Sequence, residues 1–351
     1  MTPGFSTKLK RIAKRCLGSG VYSFVYNKNK IQKRFKKIRM TEPSSRRPNA
    51  IMLTIKKWRV LLLIILFIFG TYYGIGATVS SNINNRLNAD ITAHRNQPTT
   101  INALSYVLKT QVDEQPWTPA LPIIFPASIL DNMPNFQIGA KESANYFLKK
   151  FAKRYQNEAL KEAGELLDYP SNIWLFSQTK DDKMSPGSAK QYRKALAKIE
   201  KAVIKEQTEE QIRRQDFLYF LKGANNLLKK QISTLNKHVL EHESEILDFN
   251  ADDIFYRAEG TVYTLHYMLS AIAKDYQKQI LESEQYENLT TALKFLADAN
   301  ALAPISIKNA APNDIYAANH LLYLAFYLSQ TQLYLQKIYY ANLSKTKEQP
   351  Q

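Results

Sequence analysis

The stretch "DIFYRAEGTVYTLHYML", residues 253–269, decides the fold. Its apolar residues Phe255, Ala258, Val262, Leu265 and Leu269 recur at alternating steps of three and four, and Ile272 and Tyr276 continue the series. That is the period of one helix face and not the alternation of a strand. Asp252 or Asp253 stands where such a helix takes its N-cap.

The same period extends on both sides. Ala144, Phe147, Leu148, Phe151 and Tyr155 mark a helical run from about residue 140 to "DYPSNIW" at 168–174. Ser185 followed by Pro186 predicts the next helix start, with Tyr192, Leu196, Ile199 and Val203 as its buried stripe. Polar "KEQTEEQ" (205–211) breaks that helix or exposes one turn, and Phe217, Leu221, Ala224, Leu228 and Leu235 resume the pattern. Leu289, Leu293, Leu296 and Ala303 predict a shorter helix before Pro304, and a last one runs from after Pro312 to about Leu343. No strand is expected after residue 140. The expectation is an all-α, multi-helix bundle over residues 140–343 with a short tail at 344–351. The run "HLLYLAFYL" in the last helix is too short to span a bilayer and is interrupted by "SQTQ", Gln336 and Lys337.

Upstream, residues 60–78 read "VLLLIILFIFGTYYGIGAT", an uncharged stretch of nearly the length a helix needs to cross a bilayer. Trp58 stands at one edge, Tyr72 and Tyr73 near the other, where amphipathic rings prefer the headgroup level. Lys56, Lys57 and Arg59 abut the N-terminal edge. The predicted topology is therefore single-pass, with residues 1–59 cytoplasmic, a transmembrane helix at 60–79, and the bundle outside the cytoplasm. A cleaved signal peptide would have a shorter start and a shorter apolar core. Gly70 and Gly74, extended by Thr78, form a small-residue face on which two such helices could pair as a homodimer.

Charge is distributed unevenly. Of the 48 Lys and Arg, 17 lie in residues 1–59 against one acid, Glu42, while the remaining 31 bases face 30 acids. The basic character belongs to one largely disordered arm, read as attraction to anionic lipid headgroups and a topology signal. The near-neutral remainder gives no case for a nucleic-acid-binding body, and specific nucleic-acid contact through the arm has no folded motif behind it. Cys16 is the only cysteine, so no intrachain disulfide and no cysteine-ligated metal site is expected.

Between span and bundle, residues 80–115 are polar and rich in Asn, read as a stalk with a short helix near Ile101–Lys109. Residues 116–139 carry Pro116, Pro119, Pro122, Pro126 and Pro134 and are read as an extended connector. Within it, Asp131, Asn132 and Asn135 favour turns, while Leu130, Met133 and Phe136 supply apolar anchors. The segment is expected to buckle stalk to bundle, and Leu130, Asp131, Asn132, Met133, Asn135, Phe136 and Gln137 are the candidates for a partner-docking face.

Signatures of nucleophilic hydrolases, zinc proteases, P-loops and dinucleotide folds are absent from the sequence. His238 and His242, with Glu245 nearby, have metal-ligand spacing, but their charged surroundings point to a solvated face, and no metal or cofactor is expected. Glu259 and His266 stand two helical turns apart with Tyr263 beside them, a set that could move protons if enclosed in a cleft. Asp131, Asp252 and Asp253 supply carboxylates for glycosidase-type chemistry, although the last two are better read as caps. The leading reading is a non-enzymatic binding or scaffolding component; the rivals are an envelope hydrolase near Glu259 and His266, and a lipid or nucleic-acid tether through the basic arm.

The blocks "PWTPALPIIFPASILDNMPNFQIGA", "DIFYRAEGTVYTLHYML" and "NHLLYLAFYL" together resemble the signature of a family of bacterial inner-membrane proteins built around a domain of unknown function. The resemblance covers roughly residues 55–343 and implies one N-terminal span, a helical domain outside the cytoplasm and an envelope protein as partner. It implies no activity. The long basic arm departs from the family pattern.

Overall fold

The stripe from Phe255 to Ile272 lies on the bundle's central helix. The computed structural model describes residues 50–348 apart from 81–82, 94–96, 129–130, 179–183, 205–208, 243–247, 249, 281–282, 305 and 312–317. Most of the basic arm, Leu130 and Glu245 therefore lie outside the described residues. In chain order the helices are α1 (Ala50–Ser80), α2 (Thr99–Val112), α3 (Asn132–Tyr155), α4 (Glu158–Leu167), α5 (Ser188–Lys201), α6 (Glu210–Glu241), α7 (Ala251–Asp275), the single turn α8 (Gln277–Ile280), α9 (Ser283–Asn300) and α10 (His320–Glu348). Short 3₁₀ turns occupy Thr118–Ala120 and Pro126–Ser128. The chain divides into two units, Met1–Phe69 and Gly70–Gln351.

In the first unit the described residues are the N-terminal part of α1, with Val60 through Phe69 exposed. One helix among the described residues, Ile55–Gly76, is long and apolar enough to cross a membrane. The apolar run in α10 instead buries Leu321, Leu324, Ala325 and Leu328 as that helix packs on α6 and α9.

In the second unit α7 packs on α2, α3, α6 and α9. Phe255, Ala258, Val262, Leu265, Leu269 and Ile272 are buried as expected, but so are Gly260, Tyr263, Thr264, Tyr267 and Met268. A helix buried nearly all round is a central one. Its closest neighbour is α3. A Cβ at Gly139 would run into the carbonyl of Arg257, and one at Gly260 into the carbonyl of Phe136. Two glycines thus let these backbones touch, and polar links sit in the same contact. Ser143 Oγ donates to Thr261 Oγ1 (3.0 Å), and Thr264 Oγ1 donates to the carbonyl of Ala140 (3.2 Å).

Several expectations need correction. The segment read as a stalk belongs to the bundle: α2 buries Ile101, Leu104, Val107 and Leu108, and Ile83, Leu87, Ala89 and Ile91 pack against the core. The polar Asn residues there bond to other elements rather than to water alone, as Asn85 does with Glu259 and Asn300. The connector is not extended to residue 139, because α3 begins at Asn132 with Pro134 in its first turn. Proline is tolerated there since the first N–H groups of a helix have no intrahelical acceptor.

Helix α3 ends at Tyr155, where Gln156 adopts a left-handed conformation (φ 50°), and Asn157 caps α4 by accepting from the Leu160 N–H (3.1 Å). Ser185 and Pro186 do not start a helix. They form part of strand β2 (Met184–Pro186), antiparallel to β1 (Phe176–Gln178), and α5 starts at Ser188. The side chain of Ser188 is used instead to accept from Ile173 N–H (2.9 Å) and to donate to the Pro170 carbonyl (2.6 Å). For α7 the N-cap is Asn250, without a side-chain bond; Asp252 and Asp253 lie inside the first turn, where negative charge meets the positive end of the helix.

Candidate functional site

Glu259 is the most unusual ionisable group in the bundle. It sits mid-helix on α7 at 2% exposure. Its Oε1 accepts from Asn85 Nδ2 (2.7 Å), and its Oε2 has no hydrogen-bond partner. Asn85 and Asn300 brace the contact reciprocally: Asn85 Nδ2 donates to the Asn300 carbonyl (3.1 Å) and Asn300 Nδ2 to that of Asn85 (2.8 Å). Burial pushes the carboxyl up to about 7, only partly offset by the Asn85 bond. A carboxyl without a countercharge in such a place prefers its neutral form.

Tyr263, one turn on, is fully buried between Phe136 and Tyr267, with ring centroids 5.6 and 5.1 Å away, and burial drives its hydroxyl well above the usual range. His266 is half-buried, its Nδ1 lacks a partner, and burial holds it down at about 4. Seven helical residues place Glu259 and His266 about 10 Å apart along the axis. The structure thus puts the three candidates on one helix, and none of them lines either of two clefts among the described residues.

Those two clefts lie elsewhere. One of about 650 Å³ is lined by Asp90, Gln97, Asn102, Ser105, Tyr106 and Glu200 among others. Gln97 fixes its wall by donating to the carbonyls of Ile199 (2.9 Å) and Ala202 (2.6 Å), and the Ser105 hydroxyl has no partner. Its walls join residues about a hundred positions apart, so no local pattern announces it. A second, of about 540 Å³, lies around Lys149, Gln156 and Lys161 at the α3–α4 corner.

The three candidate aspartates do converge. Asn135 Nδ2 donates to Asp253 and to the Asp131 carbonyl. Burial first, then the charges of Asp131 and Asp252, pushes Asp253 up to about 6. Asp252 is also raised, by burial and then Asp131. Three carboxyls thus meet at the α7 start, but Asp131 is exposed and neither cleft reaches them.

His238 and His242 depart from expectation. His238 is buried, stacks on His242 (4.4 Å) and bonds Asp248 through Nε2 (2.7 Å). Burial alone would raise Asp248, but bonds from His238, Asn250 and Asn309 outweigh it and hold the carboxyl below its usual range. The pair pins the end of α6 to the loops at 248 and 309 and is not a solvated face. Among the described residues no group of three or more His, Cys, Asp or Glu is placed to hold a metal.

The "LDNMPNFQ" block is structural more than presentational. Gln137, fully buried, accepts from Thr118 N–H (2.9 Å) and Oγ1 (2.7 Å) and donates to the carbonyls of Gln111 (2.9 Å) and Pro116 (3.0 Å). Met133 and Phe136 are buried too, so these three offer no docking face; Asp131 is exposed and Asn132 and Asn135 partly so. No protein family, curated protein or solved structure matches this chain. Fold and site alone set its class: a mostly helical bundle with, among the described residues, one helix of the length and composition of a membrane span.

Proposed function

We propose that this chain is a single-pass protein of the bacterial inner membrane, with its basic arm cytoplasmic and its helical bundle periplasmic. In this reading the bundle acts by binding or scaffolding within the envelope. The observation that carries it is the apolar helix Ile55–Gly76, whose most apolar 18-residue stretch has no residue buried within the protein. A soluble protein would have to leave that surface in water. The base-rich side of the helix supports the orientation, and residues 1–59 then lie against anionic headgroups of the inner leaflet. Binding is favoured over hydrolysis because Glu259 and Tyr263 are buried, at 2% and 1% exposure, and neither lines one of the two clefts. Membership of the inner-membrane family suggested by the three sequence blocks belongs to the same proposal.

Alkaline phosphatase and green fluorescent protein fused in turn at the C-terminus test the topology. Phosphatase activity with a dark fluorescent fusion is the expected result, and the reverse pattern would refute it. Crosslinking in intact cells followed by mass spectrometry then names the envelope protein that the bundle contacts.

A further inference from the structure

Six large apolar side chains of the second unit face solvent: Ile123 (78% exposed) and Ile124, next to the C-terminal turns of α1, and Trp174 (43%), Leu175, Phe176 (61%) and Met184. They come from two segments far apart in sequence, the proline-rich connector and the β1–β2 hairpin. Phe125 joins them by an edge-to-face contact with Trp174 (5.6 Å).

These side chains are held out by well-anchored backbone. The hairpin is tied through Ser188, whose hydroxyl bonds Ile173 and Pro170, and through Gly187, where a Cβ would strike the Trp174 carbonyl. The connector is tied through Trp117, whose Nε1 donates to the Ser171 carbonyl (2.7 Å) and whose ring packs edge-on against Tyr192. On the other side it is tied to α1 itself. The hydroxyls of Tyr73 and Tyr72 donate to the carbonyls of Ile123 (3.2 Å) and Ile124 (3.3 Å), and Pro126 sits where a Cβ of Gly76 would be. Tyr72, Tyr73 and Gly76 belong to the last turns of the apolar helix.

We infer that this patch is a second membrane contact, in which the connector and hairpin lie in the headgroup–acyl boundary of the same bilayer that α1 crosses, on the bundle side. The inference rests on the proposed span. Continuity identifies the occupant, because the patch joins the helix at the tyrosines that mark its interfacial edge. Its composition agrees: Trp and Phe beside Ile and Leu suit an interfacial surface. Such a contact would fix the bundle against the membrane instead of leaving it on a tether.

The test uses full-length protein in phosphatidylcholine–phosphatidylglycerol vesicles containing lipids brominated near the headgroup. Buried Trp117 stays in every variant as a constant emitter. Trp58→Phe, compared with the Trp58→Phe/Trp174→Phe double variant, isolates Trp174; Trp174→Phe leaves Trp58 to report the span. The expected result is loss of about half of the Trp174 emission alongside quenching of Trp58. Quenching of Trp58 with Trp174 untouched overturns the second contact and leaves the span standing; absence of both overturns the span as well. A nitroxide on Ile123→Cys in a Cys16→Ser background gives an independent reading. Collisions with oxygen exceeding those with an aqueous nickel chelate support immersion, and the opposite ratio overturns it, leaving the patch to a protein partner.

Discussion

Glu259 shows how one buried group sets a pH response. Its carboxyl titrates at about 7 in the folded chain and at about 4.5 when unfolded. The folded state therefore holds the extra proton between these values, so stability falls as pH rises from about 4 to about 7 and is level above. The full loss is about 3 kcal/mol. His266 has the opposite sign. Its folded value of about 4 lies below the unfolded one of about 6.5, so its contribution is lost as pH falls through that range. Glu259→Gln keeps an acceptor for Asn85 and removes the titration. The variant is predicted to exceed the wild type by about 3 kcal/mol near pH 8 and to approach it near pH 4, read from denaturant midpoints. A wild-type advantage near pH 8 would show that Glu259 is stabilised as an anion.

Gln137 illustrates the limits of reading single residues. "NFQ" signals a turn-rich, partly apolar segment, and nothing in it reveals that the amide meets two donors and two acceptors from residues 111–118. The buckle is legible in its role but not in its atoms, because its partners come from elements set only by packing.

At the scale of elements, helix periods were readable because burial on one face leaves a trace every three or four positions. Boundaries were less so. Pro134 resembles a breaker yet lies in the first turn of α3, and Ser185–Pro186 resembles a helix start yet pairs with β1. In both places a local preference gave way to packing around it. The α3–α7 crossing depends on Gly139 and Gly260, whose spacing within each helix gives no sign that they face each other. Gly139→Val would drive a side chain into the Arg257 carbonyl, and the helices must separate to accept it. A loss of about 3 kcal/mol or more is expected in chemical denaturation, the range for strained or disrupted cores. Ala at exposed Gly70, where nothing lies within 4 Å, is the matched control and should leave the midpoint unchanged.

At the scale of the molecule, we propose that α1 pairs with a second copy of the chain through its small-residue face. Gly70 and Gly74 are open on their Cβ side, and Thr78 turns its hydroxyl back to the carbonyls of Gly74 (3.1 Å) and Ile75 (2.8 Å), which masks its polarity in the helix. If the proposed dimer forms along this face, Gly70→Ile/Gly74→Ile lowers the signal of a membrane two-hybrid assay about tenfold by keeping the backbones apart. An unchanged signal removes the face from consideration.

By itself the sequence determined an apolar stretch of spanning length, a basic arm before it, and a series of amphipathic helices after it. Those are properties of composition and period, which do not depend on what touches what. Tertiary structure alone decided that α2 and residues 83–91 join the core, that His238 and Glu259 are buried, that three aspartates meet at one helix start, and that the proline-rich connector and the hairpin share an exposed apolar face. Each depends on bringing together segments remote in the chain, and that requires every helix to be packed first.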